Sequence, residues 1–251
     1  MNDLLLVLSV IVLTALLLLL TWARLRRGVP VGLRPHPAYR TLRYLMGRSV
    51  ESGRRLHMTP GRGALHSPQG PAGVAGLLAL EELAKQSSDS GVAPVVSVGA
   101  ATLLSAAQGT VRRAYATSGR VTDFHLRDTH FLADRAYPFV FAAGATLLAQ
   151  QPDVESSVAL GHLGAEMGLL AEGGRRRDAG QILGSDDPVA SAVATAFTPN
   201  AVWGEELFAA PAYLQRSPLQ LASLRTQDIL RWLAALGILG IAALRMLGIL
   251  G

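Results

Sequence analysis

The chain has 251 residues, no cysteine, a formal net charge of +5 and a pI near 10.2. The absence of thiols excludes disulfide frameworks, cysteine-ligated zinc and thiol nucleophiles. The basicity is local: ten arginines and one acid, Glu51, lie between Ala23 and Arg62, while Gly63 to Asp228 holds eleven basic and sixteen acidic residues, which argues against a nucleic-acid partner.

The first element is the uncharged run from Leu4 to Trp22. At 1.5 Å rise per residue it is about 28 Å long, close to the hydrocarbon thickness of a bilayer. A cleaved signal would carry basic residues ahead of a shorter apolar core and a small-residue cleavage site after it. Here Met1-Asn2-Asp3 has no basic residue, so residues 4–22 are expected to form a retained transmembrane helix. Arginines gather on the cytoplasmic side of such a helix. Arg24, Arg26, Arg27, Arg34, Arg40 and Arg43 all follow the segment and only Asp3 precedes it, which predicts an outside N-terminus and a cytoplasmic central domain.

Residues 23–62 read as a basic juxtamembrane linker and an amphipathic helix. Gly28 to Pro37 is rich in proline and glycine and breaks regular structure. Beyond it Tyr39, Leu42, Leu45 and Met46 share one helical face. Two placements satisfy that pattern: the helix lies on the bilayer surface, or it packs on the domain and shows its arginines to water. Arg24, Arg26, Arg27, Arg40 and Arg43 are the candidate membrane-surface residues, each contributing about 1 kcal/mol against anionic lipid headgroups.

Residues 63–228 form the expected central domain. Strands are predicted at Arg55–Met58, Pro94–Val98, Ser157–Gly161 and Gly180–Gly184, where short apolar runs end at glycines. Helices are predicted at Val74–Gln86, Thr102–Thr117, Ala133–Gln150 (with Pro138 either kinking or starting it), Ala165–Ala171, Pro188–Ala196 and Glu205–Leu214. This alternation gives an α/β fold, a mostly parallel sheet covered by helices, flanked by N- and C-terminal transmembrane helices. The second apolar segment, residues 229–251, is interrupted by Arg245, which can snorkel if it lies near the far end; a full span and an interfacial helix both remain open. Ala234, Gly237, Gly240 and Ala243 recur every third residue, a strip along which membrane helices can approach and the chain can form a homo-oligomer.

The clearest strand-turn-helix junction runs from Val158 to Gly168. Gly161 and Gly164 permit close approach of a ligand to backbone, and the helix start offers unpaired N–H groups. His162 and Glu166 share a helical face, with Glu172 further along; Glu205 begins the last helix of the domain. Gly161, His162, Gly164, Glu166, Glu172 and Glu205 are therefore the candidate ligand-binding residues. The bland reading is a structural turn with Glu166 complementing the helix dipole. The group Asp123, His125, Asp128, His130 and Asp134 matches no metal spacing, and no metal site or cofactor is named by any motif. No G-x-S-x-G, H-E-x-x-H, P-loop or kinase signature occurs, so no catalytic residue is assigned.

Leu160 to Glu166, Leu170-Ala-Glu172, Gln181-Ile-Leu-Gly184 and Gly204 to Leu214 together resemble an uncharacterised bacterial membrane-protein family, the domain of unknown function 6754. The resemblance implies a membrane-anchored protein and carries no catalytic residues with it. Two functions follow as expectations: a non-enzymatic scaffold or assembly unit, or a ligand-sensing or enzymatic domain using residues 161–172 and 205.

Overall fold

The computed structural model describes residues 2–27, 33–215 and 217–246. They divide into two compact units, Arg34–Leu214 on one hand and Met1–Leu33 with Gln215–Gly251 on the other.

The Arg34–Leu214 unit is α/β. Its elements are α2 (Pro37–Ser52), β1 (Arg55–Gly61), α3 (Gly70–Ser90), β2 (Val95–Val98), α4 (Ala101–Thr117), β3 (Thr129–Phe131), α5 (Pro138–Ala149), β4 (Val154–His162), α6 (Met167–Arg176), β5 (Gly180–Ser185), α7 (Pro188–Phe197), β6 (Ala201–Trp203) and α8 (Glu205–Leu214). Among the described residues, six strands form one all-parallel sheet in the order β3-β2-β1-β4-β5-β6. Parallel strands must be covered on both faces, and the side-chain alternation achieves this. Leu56, Met58, Val96, Val98, Val158, Leu160, Ile182 and Val202 pack in one core with Tyr39 of α2, Leu80 of α3, Leu103 of α4 and Leu207 of α8. Ala159, Leu183 and Ala201 point the other way, into a core with Phe141 of α5, Met167 of α6 and Ala194 of α7. Helix α5 carries the chain from edge strand β3 back to the centre of the sheet. The strand order therefore reverses between β1 and β4, the doubly wound arrangement whose carboxyl-end crevice is the customary ligand position.

The structure decides several readings that the sequence left open. Pro138 is the first residue of α5, because Asp134 to Tyr137 form a turn: the Tyr137 N–H donates to the Asp134 carbonyl at 2.9 Å and the Ala136 N–H to Asp134 Oδ1 at 3.1 Å. The apolar face of α2 is buried: Ala38, Tyr39, Leu42, Leu45 and Met46 lie within the core, the Tyr39 hydroxyl donates to the Glu206 carbonyl at 2.5 Å, and its ring stacks on Tyr213. The helix thus packs on the domain, while Arg40 and Arg43 remain exposed.

The compact unit starts at Arg34, so α2 and the central strand β1 belong to it, upstream of the boundary drawn at residue 62. The buried apolar face of α2 and the pairing of β1 between β2 and β4 hold this stretch in the domain, and ion pairs add to them. Arg48 and Arg54 both clamp the buried carboxylate of Glu155, Arg55 reaches Asp128 at 2.5 Å, and Arg62 reaches Glu166 at 2.5 Å. These arginines look like a membrane-facing run in sequence but serve the domain. Arg24, Arg26, Arg27, Arg40 and Arg43 stay exposed.

The other unit holds α1 (Asn2–Arg26) and α9 (Pro218–Met246), both long and apolar enough to cross a membrane and with their apolar windows uncovered by protein. They touch where small side chains allow it. Ala222 and Thr226 of α9 are buried, and the Thr226 hydroxyl lies 3.0 Å from that of Thr21. Thr21 also donates back to the Leu17 carbonyl at 2.8 Å, satisfying the hydroxyl within its own helix. At the end of α1 the Arg26 guanidinium sits 4.6 Å over the Trp22 ring, an aromatic-cation arrangement suited to a headgroup layer. Helix α9 begins well before the predicted segment, places Arg245 in its last turn, and leaves Trp232 to Met246 exposed; residues 247–251 lie outside the described residues.

Candidate functional site

The carboxyl ends of β1 and β4 approach each other very closely. A Cβ on Gly61 would lie 2.2 Å from the His162 carbonyl oxygen, and one on Gly161 would lie 2.0 Å from that of Pro60. Only glycine fits at either place, because backbone from the neighbouring strand fills the space. The pairing continues past the strands, with the Arg62 N–H donating to the His162 carbonyl at 3.0 Å.

Two polar clasps close this end of the sheet. Glu166, 2% exposed, accepts from Arg62 Nε at 2.5 Å and from the Gly164 N–H at 2.8 Å. Burial raises its pKa, but the Arg62 hydrogen bond and two backbone N–H groups outweigh that and hold the carboxyl below its ordinary value. Arg62 also donates to the Arg135 carbonyl at 3.1 Å, tying in the loop after β3. The second clasp joins His162 Nδ1 to Asp186 at 2.8 Å. Beside it Ser185 is fully buried and its hydroxyl donates to the Leu163 carbonyl at 2.7 Å. A histidine-carboxylate pair next to a serine suggests acyl transfer, but this hydroxyl is buried and already engaged, so it is not placed to attack a substrate.

The structure thus brings Gly161, His162, Gly164 and Glu166 to one end of β4, where their polar groups meet protein partners. Glu172 lies further along α6, paired with Arg175 at 2.9 Å and Arg176 at 2.8 Å. Glu205 is exposed at the start of α8, after the edge strand β6. The residues that complete the two clasps, Arg62 and Asp186, were not singled out by sequence reasoning, although Gly61-Arg62-Gly63 directly after a strand is a visible signal. Open space lies one strand further on. A cavity of about 440 Å³ at the ends of β1, β2 and β3 is lined by residues including His66, Ser67, Thr102, Asp134 and Arg135. Among the described residues no group of three or more His, Asp or Glu side chains is arranged to hold a metal ion.

In sequence the two apolar helices flank the α/β unit, and one family model spans all three. The sequence profile of a domain of unknown function, DUF6754, matches residues 1–249. The chain belongs to the DUF6754 family. The match covers both apolar helices as well as the α/β unit. No curated protein and no solved structure matches the chain.

Proposed function

We propose that this DUF6754 protein is a two-pass membrane protein with its N-terminus outside and its α/β unit in the cytoplasm, where it acts as a non-enzymatic scaffold or assembly unit. The observation that carries the non-enzymatic reading is the engagement of Glu166 and Glu172 in ion pairs with Arg62, Arg175 and Arg176. Glu166 is thereby committed to the fold, and both carboxylates are made weaker proton acceptors by their arginine partners. Support for the orientation comes from Arg24, Arg26 and Arg27, exposed beyond the apolar part of α1. The same residues, with Arg40 and Arg43, supply attraction to anionic headgroups.

A cysteine-free chain makes the topology directly testable. Ala116→Cys, at an exposed position on α4, is expected to react with a membrane-impermeant maleimide only after cells are permeabilised, whereas Asn2→Cys reacts in intact cells. The reverse pattern would overturn the orientation.

The assembly reading rests on α9. Ala234, Gly237, Gly240 and Ala243 are exposed, and a Cβ added at Gly237 or Gly240 meets nothing within 4 Å. The strip is thus open to a second copy of the helix. Gly237→Leu with Gly240→Leu is expected to reduce the oligomer seen by native mass spectrometry of the detergent-solubilised chain. An oligomer distribution equal to that of the unmodified protein would exclude this strip as the contact.

A further inference from the structure

A groove of about 840 Å³ runs between α4 and the segment 121–127, at the β3 edge of the sheet. Its basic side chains are the guanidinium groups of Arg112 and Arg127 and the imidazole of His125, its apolar ones Val121, Phe124 and Leu126. No carboxylate lines it. The two acids of the adjoining segment are already neutralised from elsewhere: Asp123 pairs with Arg120 at 2.9 Å and Asp128 with Arg55 at 2.5 Å. Among the described residues, the side chains of Arg112, His125 and Arg127 have neither an ion-pair nor a hydrogen-bond partner.

This distribution differs from an ordinary solvated surface, where charges of both signs mix. Here an interrupted charge balance leaves two guanidinium groups facing one space. Each offers a planar fork of donors that matches phosphate oxygens. Beside them Val121 and Leu126 hold apolar surface toward solvent, 45% and 62% exposed, and Phe124 packs partly into the core behind. A phosphate alone would leave that apolar wall uncovered, and an apolar ligand alone would leave the guanidinium groups unpaired. The volume lies within the usual range of small-molecule sites, about 300–1,000 Å³.

We propose that this groove binds a phosphate ester carried on an apolar or aromatic body, with Arg112 and Arg127 on the phosphate and Val121, Phe124 and Leu126 against the body. A soluble nucleotide and a phospholipid headgroup share this chemistry, and the test separates them.

The full chain in phosphatidylcholine nanodiscs is titrated with trinitrophenyl-ATP, whose fluorescence rises in an apolar site. Saturable enhancement is expected, and Arg112→Ala with Arg127→Ala weakens it by about tenfold or more through loss of charge-assisted hydrogen bonds. Both arginines are exposed, so the unfolding midpoint should not move. Leu126→Glu, which sets a carboxylate against the guanidinium groups, gives the same loss by an independent route. Displacement of the probe by AMP assigns a soluble nucleotide, and displacement by dihexanoyl phosphatidylglycerol assigns a lipid headgroup. The proposal is overturned if enhancement does not saturate, if the double alanine variant binds like the parent, or if neither competitor displaces the probe.

Discussion

Replacing Glu166 with alanine is expected to destabilise the α/β unit by about 3–5 kcal/mol, the usual effect of removing one partner from a buried ion pair. The carboxylate is 2% exposed and joins three segments, through Arg62 after β1, the Gly164 N–H after β4, and the Arg62 bond to the carbonyl of Arg135 after β3. Its loss leaves a guanidinium, with a side chain only 18% exposed, without a counter-charge. Glu166→Gln keeps an acceptor for the Gly164 N–H but not the charge, and should lose less. Denaturant unfolding of the full chain in detergent measures both, and a loss under about 1 kcal/mol for the alanine variant would place the pair among weak surface contacts. The pH dependence follows from the sign of the shift. The folded carboxyl titrates below its ordinary value near 4.5, so the unfolded chain takes up this proton first as pH falls. The stabilisation is present above about 4.5 and lost as the pH drops through the lowered folded value, and Glu166→Gln removes that component.

Much of the fold is legible where periodicity is strong. Pro94 to Val98 and Gly180 to Gly184 announce strands by β-branched or apolar residues between glycines, and β2 and β5 lie within one residue of those limits. Helix α8 falls where predicted, at Glu205–Leu214. Strands β3 and β6 are only three residues each, too short for alternation to register, and exist because a neighbouring strand offers its edge. The candidate site was legible in half. The glycines at 161 and 164 mark a close approach, but the sequence does not show that the approaching group is the chain's own β1 and not a ligand. Arg62 meets Glu166 across 104 residues, and Arg54 meets Glu155 across 101. Pairings at such separations leave no local periodic trace. The same blindness affects the arginines from 48 to 62, which read as part of one membrane-facing strip until their partners are known.

His57 offers the larger pH effect, in a separate range. It lies fully buried in β1, with Nδ1 2.8 Å from the Ser157 hydroxyl and Nε2 2.9 Å from that of Ser97, so one ring bridges the strands on either side. A neutral imidazole needs one donor and one acceptor, and serine hydroxyls supply either, so both tautomers are satisfied. A charged ring would also find acceptors, but it would be a cation without water. Burial, reinforced by nearby His130, therefore lowers the folded pKa to about 3, against 6.5 for a free ring. Between those values the unfolded chain binds a proton that the folded chain refuses, so stability is complete above about 6.5 and falls with pH. At about 1.4 kcal/mol per pH unit, descent from 6.5 to 4 removes about 3 kcal/mol. His57→Asn, which can bond to the serines but cannot titrate there, is expected to be less stable at pH 7 and to show a flatter loss on acidification. Most of this range lies above the titration of Glu166, so unfolding free energies at pH 7, 6 and 5 isolate the histidine contribution. Because His130 is also lowered by burial, the decisive quantity is the difference in slope between the parent and His57→Asn. Parallel curves for the two would mean that the buried ring is protonated in the folded chain, and that the polar bridge across β2, β1 and β4 tolerates a charge which its surroundings argue against.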